Sequence, residues 1–160
     1  MHLICRVAAV AVVVLAAFGT SGARTARTAD PQEAAEARQG LEEILDLWRD
    51  GNYGVLHGRT VSGGKESREG FVRKLEHAAF RPACCWEKLQ DVTVSLGKGD
   101  TVSVRGRFGL EGGPSGTEYA TRSVRLVREN GVWKASQSDL LSLSGGKRKR
   151  YRYVGSSPSR

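Results

Sequence analysis

Cysteine is scarce in this sequence. The 160 residues contain three cysteines: Cys5 lies near the N-terminus, and Cys84 and Cys85 are adjacent. Adjacent cysteines cannot join two distant segments of a chain to each other, so the sequence does not predict a disulfide framework. The fold must therefore be stabilised by packing, and residues 24–160 are numerous enough for one domain with its own core.

The sequence also lacks an apolar run of the length that a transmembrane helix needs. The uncharged run at residues 7–19 has 13 residues, whereas a membrane-spanning helix needs about 20. Residues 1–6 form a short basic start before this run, and the small residues 21–23 follow it. This layout is typical of a secretory signal peptide. We expect residues 1–23 to be removed and the mature chain to be exported, to the periplasm or the extracellular space; an uncleaved anchor is the alternative.

Acidic residues are absent from the C-terminal end. Residues 147–160 contain six basic residues and no acidic one, whereas residues 24–146 contain 18 basic and 17 acidic residues. The net charge of +8 is thus concentrated in a tail and not on a folded surface, where a nucleic-acid-binding domain would carry it. We predict that the tail either binds an anionic surface or is a disordered, solubilising end. The candidate anion-binding residues are Lys147, Arg148, Lys149, Arg150 and Arg152.

Several catalytic and metal-binding motifs are missing as well. The sequence contains no Ser-centred nucleophile elbow, phosphate-binding loop, HExxH motif or dinucleotide-binding fingerprint. His57 and His77 are the only histidines after the signal peptide, and neither has a second histidine three or four residues away. The adjacent cysteines lack the two-residue gap of common zinc sites. We therefore predict no metal site and no cofactor.

The sequence does contain a clear change of hydrophobic period. Asp30 as a cap and Pro31 at the first helical position predict the start of a long helix that runs to about Asp50. Shorter helices are predicted at about residues 52–57 and after Ser67. The apolar residues of the long helix are spaced at i, i+3, i+4 and i+7, and they are Leu41, Ile44, Leu45 and Trp48.

After Cys84 the hydrophobic period becomes two, which indicates strands. Four strands are predicted at about residues 86–96, 101–110, 117–128 and 132–141, and Asn130-Gly131 predicts a tight hairpin. We predict an α+β fold in which N-terminal helices pack on one face of a four-stranded antiparallel meander. The domain is expected to span residues 31–144, between a linker at 24–30 and a basic disordered tail at 145–160. The predicted sheet partners of the long helix are Val104, Phe108, Val124 and Leu126, and Trp86 and Trp133 are also expected in the core.

Three short phrases in residues 31–142 add to this pattern. They are Leu45-x-x-Trp48-x-x-Gly51-Asn52-Tyr53, Ser67-Arg68-Glu69-Gly70-Phe71 and Glu129-Asn130-Gly131-Val132-Trp133-Lys134. Together with the element order, they resemble the nuclear transport factor 2-like superfamily, which includes SnoaL-like and ketosteroid-isomerase-like proteins. The resemblance implies a curled sheet that wraps a long helix, with a pocket between them for a small apolar ligand. Members of the superfamily include isomerases, dehydratases, binding proteins and dimerising scaffolds, so the resemblance does not determine the function.

The enzymes of this superfamily that resemble ketosteroid isomerase use a carboxylate base and an oxyanion-binding Tyr/acid pair inside the cone. No such set matches this sequence residue by residue. By residue type alone, the candidate catalytic residues are Asp46, Tyr53, His57 and Asp139.

The adjacent Cys84 and Cys85 allow three interpretations. Side chains alternate along a strand, so the start of a strand would place the two thiols on opposite faces. A disulfide between them would form a strained, easily reduced ring that suits a redox switch. A disulfide to a second chain is the third interpretation, because an exported protein enters an oxidising compartment.

Five arginines on the predicted strands allow two interpretations. Arg105, Arg107, Arg122, Arg125 and Arg128 can form an anion-binding face, or they can make cross-strand ion pairs on a solvated face. The acidic residues expected in such pairs are Glu111, Glu118 and Glu129.

The sequence as a whole predicts an exported, non-catalytic binding or interaction module. Two alternatives stay open. One is an isomerase-like or dehydratase-like enzyme that uses the cone pocket, and the other is a dimeric structural protein whose outer sheet face pairs with a second copy.

Deletion of residues 147–160 tests the role of the tail. We expect little change in stability, because no apolar period continues into these residues. Binding to anionic vesicles should fall strongly at low salt, since each basic residue contributes about 1 kcal/mol near such a surface. The difference should shrink as salt shortens the screening length. Co-sedimentation of full-length and truncated protein at two salt concentrations measures this, and equal binding at low salt would leave the tail a solubilising end only.

Overall fold

The fold is α+β, with helices on one face of a curled sheet, as the sequence predicts. The computed structural model describes residues 28–63, 66–114 and 116–145. The predicted signal peptide, most of the linker and the basic tail from residue 146 lie outside these residues. The helices are α1 (Pro31–Arg49), α2 (Tyr53–Gly58), α3 (Arg68–Glu76) and α4 (Gln137–Leu143), with a 3-10 helix at Cys85–Lys88. The strands are β1 (Thr60–Val61), β2 (Arg81–Pro82), β3 (Gln90–Leu96), β4 (Thr101–Gly113), β5 (Gly116–Glu129) and β6 (Val132–Ser136).

The long helix α1 begins and ends where local chemistry requires. The Asp30 carboxylate accepts a hydrogen bond from the Gln32 N–H at 2.9 Å, and Pro31 occupies the first turn. The helix ends at Arg49, and Gly51 follows with a φ of 71°, in the left-handed region that glycine adopts readily. None of the helices in the described ranges has the length and apolar character that a membrane crossing requires.

The strands β3, β4, β5 and β6 form the predicted antiparallel meander. The β5–β6 connection is the predicted hairpin, in which Asn130 and Gly131 have φ values of 51° and 78°. Positive φ at both central residues matches the twist of the flanking strands. This tight connection sets the register in which Leu126 lies opposite Ala135.

Two short strands extend this meander in ways that the sequence analysis missed. Strand β1 pairs in parallel with β6. Strand β2 pairs with the C-terminal part of β4, where Arg81 lies opposite Glu111. Each has only two residues, too few to show a period of two.

The last predicted strand is too long. Strand β6 ends at Ser136, and helix α4 follows in place of a strand to Leu141. Leu140 and Leu143 are buried at a spacing of three, which is helical and not strand-like. The chain therefore leaves the sheet after Ser136 and runs beside β5.

The core lies between α1 and the inner face of the sheet, by which we mean the face toward α1. The four apolar residues predicted for the helix face and the four predicted sheet partners are all at most 1% exposed and belong to one cluster. Gly40 allows close contact between α1 and β6, since a Cβ there would lie 2.7 Å from the Trp133 Cβ. Each fully buried Leu or Ile side chain stabilises the fold by about 1.5–3 kcal/mol, so this interface is the main source of stability.

Trp86 is not part of the core, although the sequence analysis expected it there. Its side chain is 73% exposed, whereas Trp48 is 1% exposed and Trp133 is 5% exposed. Trp86 lies in the 3-10 helix before β3, outside the alternating pattern that directs side chains inward.

Trp48→Ala tests the packing of α1 on the sheet. We expect the free energy of unfolding to fall by about 3–5 kcal/mol, because a large buried side chain is removed and a cavity remains. Trp86→Ala is the matched control, and its exposed position predicts a change within about 0.5 kcal/mol. Urea unfolding followed by far-UV circular dichroism measures both. Equal losses in the two variants would contradict this packing.

Candidate functional site

The two candidate catalytic carboxylates are engaged in ion pairs with basic side chains. The Asp46 Oδ2 lies 2.6 Å from Lys88 Nζ, between α1 and the 3-10 helix. The Asp139 Oδ2 lies 2.9 Å from Arg125 Nε, between α4 and β5. Each carboxylate therefore links two elements of the fold.

Tyr53 and His57 lie on α2. Tyr53 lines a groove with Arg68 and Glu76, and its pKa is raised by burial and then by the negative charge of Glu76. The His57 ring packs edge-on against Phe71, with ring centroids 6.1 Å apart. Tyr53 and Asp139 line different grooves, so the structure does not bring these two candidates together.

A 650 Å³ cavity lies on the outer face of the sheet, which is the face turned away from α1. We call it the outer groove. It is bounded by the chain after β1, the β3–β4 turn, strands β4 and β5, and the start of α4. Its lining residues are Val61, Ser62, Gly63, Gly97, Lys98, Thr101, Val102, Ser103, Arg125, Val127, Ser136 and Ser138.

Arg125 connects the outer groove to α4. Its Nε and backbone N–H both donate to Asp139 Oδ2, at 2.9 and 3.0 Å. Its Nη2 lies 3.2 Å from the hydroxyls of Ser136 and Ser138. The pKa of Arg125 is raised because the Asp139 carboxylate hydrogen-bonds to the guanidinium and attracts its charge. Arg125 is therefore held in place by α4 and forms one wall of the outer groove.

A second, smaller cavity of about 250 Å³ lies between α4 and strand β5. We call it the edge groove, because β6 pairs with β5 only over residues 126–129. Within the described residues, this stretch of the β5 edge has no strand partner. Its lining residues are Arg105, Thr121, Arg122, Ser123, Asp139 and Ser142.

The arginines of the sheet do not make the ion pairs that the sequence analysis expected. Arg125 pairs with Asp139 and Arg128 pairs with Glu36 of α1, at 2.9 and 3.0 Å. Arg107 lies over the Tyr119 ring, 4.3 Å from its centroid. Two of these arginines find carboxylates on α1 and α4, and the third lies over an aromatic ring. The pattern of residues along the strands does not show which helical carboxylates lie next to the sheet.

A disulfide joins Cys84 to Cys85, and both residues are exposed. The expectation that the two side chains point to opposite faces of a strand is therefore wrong. Adjacent side chains alternate only in an extended backbone, whereas Cys85 begins a 3-10 helix with a φ of 59°. The turn at Cys85 is what brings the two sulfur atoms to the same side.

Polar contacts tie the disulfide segment to the sheet. The Cys84 N–H donates to Glu111 Oε1 at 3.4 Å, and the Tyr119 hydroxyl donates to Glu87 Oε1 at 2.9 Å. The hydrogen bond to Glu87 is the main reason that the pKa of Tyr119 is raised. The disulfide thus lies on a segment anchored to β4 and β5, beside the exposed Trp86.

The described residues contain no group of three or more His, Cys, Asp or Glu side chains that could hold a metal ion. The two histidines have separate surroundings. His57 contacts Phe71, and the His77 Nδ1 lies 2.9 Å from the Arg73 carbonyl oxygen at the end of α3.

Comparison with solved structures supports the cone-like α+β fold. The structure of Aln2 from a Streptomyces species matches with a TM-score of 0.50 and 16% sequence identity, over 74% of this chain and 99% of that chain. Identity this low carries information about the fold and not about the activity. No protein-family model matches the chain, and the search of curated proteins finds no match.

Proposed function

We propose that the mature chain is an exported, non-catalytic binding module and that the outer groove holds its ligand. This proposal rests on one observation: the inner face of the sheet is tightly packed, whereas the outer face has a cavity. On the inner face, Val104, Phe108, Val124 and Leu126 are fully buried against the helix side, whereas the outer face carries a 650 Å³ cavity. Ligand sites for small molecules typically have volumes of about 300–1,000 Å³.

The lining of the outer groove indicates the chemistry of the ligand. Val61 and Val127 supply apolar surface, and the Ser103 hydroxyl supplies a hydrogen-bonding group. The Thr101 hydroxyl already donates to the Lys98 carbonyl oxygen, at 2.7 Å. Lys98 adds a cation for which the described residues provide no carboxylate partner. We infer a ligand with an apolar body and one acidic group.

The positions of the candidate catalytic residues also favour binding over catalysis. General acid–base catalysis requires a titratable group within hydrogen-bonding reach of the substrate. Asp46 and Asp139 are engaged by Lys88 and Arg125, and neither lines the outer groove. Ligand binding therefore fits the outer groove better than acid–base chemistry does.

The disulfide between Cys84 and Cys85 is the candidate redox site of this exported protein. A dithiol reductant would donate two electrons and two protons: the Cys84–Cys85 bond breaks to two thiols, and the two thiols of the reductant join as a disulfide. The exposure of both cysteines leaves them accessible to such a reductant.

Titration with 8-anilinonaphthalene-1-sulfonate tests the outer groove, because this dye combines an apolar body with one acidic group. We expect saturable binding, and Ser103→Phe should weaken it about tenfold or more by filling the groove, a loss of about 1.4 kcal/mol or more. Thr93→Phe is the matched control, since Thr93 lies on the same sheet face but does not line the groove. Near-UV circular dichroism must show native packing in each variant, because loosely packed states also bind this dye. Equal affinities of the two variants would contradict the proposal.

Thiol counting tests the cysteine site. We expect no free thiol in the unreduced mature chain after unfolding and two after treatment with dithiothreitol. The double variant Cys84→Ser, Cys85→Ser should keep its fold and unfold at nearly the same temperature, since this disulfide closes no long loop of the unfolded chain. Two free thiols in the unreduced protein would rule out the redox site, and a disulfide-linked dimer on a non-reducing gel would assign the cysteines to intermolecular pairing.

A further inference from the structure

We propose that the edge groove between β5 and α4 is a binding site for a phosphate group. Three features of the groove carry this proposal: its uncompensated positive charge, the direction of the backbone N–H groups along the β5 edge, and its set of hydroxyl groups. The site is separate from the outer groove, so it does not rest on the function proposed above.

The edge groove carries positive charge that no carboxylate of the described residues neutralises. Arg105 and Arg122 both line the groove, and neither has a carboxylate within 4.0 Å in the part of the chain that the structure describes. Asp139 also lines the groove, but both its oxygens accept hydrogen bonds from Arg125. The ion pair between Arg125 and Asp139 is neutral as a unit, which leaves the other two guanidinium groups to attract an anion.

The edge of β5 also presents backbone donors to the groove. The Arg125 N–H points toward α4, because it donates to the Asp139 carboxylate at 3.0 Å. Along a strand, N–H groups two residues apart point to the same side, and the β4–β5 register runs without a shift from Thr101 to Leu110. The N–H groups of Ser123 and Thr121 therefore point out of the same edge, where β6 is absent.

The contact between Arg125 and Asp139 shows that this edge of β5 can bind an anionic group. At residue 125, one backbone N–H and one guanidinium bind a carboxylate together. At residue 123 the same combination recurs: the Ser123 N–H points to the edge, and Arg105 lies directly opposite Ser123 on β4. Residue 123 therefore has the same kinds of donor as residue 125, but no carboxylate of the protein occupies it in the described residues.

The hydroxyl groups and the size of the groove favour phosphate over a carboxylate. Thr121, Ser123 and Ser142 line the groove and can each donate one hydrogen bond. Together with two guanidinium groups they can serve the several oxygens of a tetrahedral oxyanion, for which Arg is the preferred cation. A volume of about 250 Å³ accommodates a phosphate group with a small substituent.

The test is a titration of the full mature protein with inorganic phosphate at constant ionic strength, followed by ¹H–¹⁵N correlation spectra. We expect the Ser123 amide signal to shift and to saturate. Arg105→Gln and Arg122→Gln should each raise the dissociation constant about tenfold, because each removes a charge-assisted donor. Arg73→Gln is the matched control: it removes the same charge from an exposed position on α3, outside the groove, and should leave the affinity unchanged.

Two outcomes of this titration would overturn the proposal. One is a Ser123 amide shift that rises linearly with phosphate concentration, and the other is equal affinities of all three variants. Either would mean that phosphate binds only through the general positive charge of the protein. Because the variants are compared in the full chain, binding by the basic tail contributes equally to each. Loss of dye binding to the outer groove in Ser103→Phe without loss of the phosphate response would separate the two sites.

Two further ligands identify the source of the phosphate. Methyl phosphate should bind as well as inorganic phosphate if the groove takes a terminal phosphate group. Dimethyl phosphate, a diester with one negative charge, should bind at comparable strength only if the groove takes a phosphate within a polymer. Binding of inorganic phosphate with neither ester would assign the site to the free ion, and failure of all three ligands would contradict the proposal.

Discussion

The packing of α1 against the inner face of the sheet is the interaction on which the rest of the structure depends. It buries Trp48 almost completely and leaves Val104, Phe108 and Val124 without solvent contact. A sheet has two faces, and the one that holds the core is filled by the apolar side chains that stabilise the fold. Polar chemistry in this protein is therefore concentrated on the outer face and along the edge of β5.

The ion pair between Arg125 and Asp139 organises that polar side. Arg125 is a wall of the outer groove and Asp139 is a wall of the edge groove, so one contact positions residues of both cavities. The contact depends on the early end of β6, because α4 can lie beside β5 only where no strand occupies that edge. A short strand and a short helix thus create the two grooves together.

Much of the fold followed from local patterns. The cap at Asp30, the helical spacing from Leu41 to Trp48 and the Asn130-Gly131 turn each act within a few residues, so the sequence predicted α1 and the meander closely. Strands of two residues and the switch from β6 to α4 were missed, since no period can be read from so few positions. The expectation for Trp86 failed because this residue lies in a turn, where no helical or strand period indicates whether a side chain faces the core or the solvent.

The sequence by itself determined the α+β order of elements, the buried face of α1 and the scarcity of catalytic motifs, because these depend on composition and on short-range spacing. Only the tertiary structure decided what the polar residues do. Arg125 found its carboxylate in α4 and Arg128 found one in α1, through contacts 14 and 92 residues apart in the chain. The disulfide of Cys84 and Cys85 required a turn at Cys85 in place of an extended strand. The physical reason is that a side chain pairs with the groups that lie near it in space. The alternation of residues along a single strand carries no information about those neighbours.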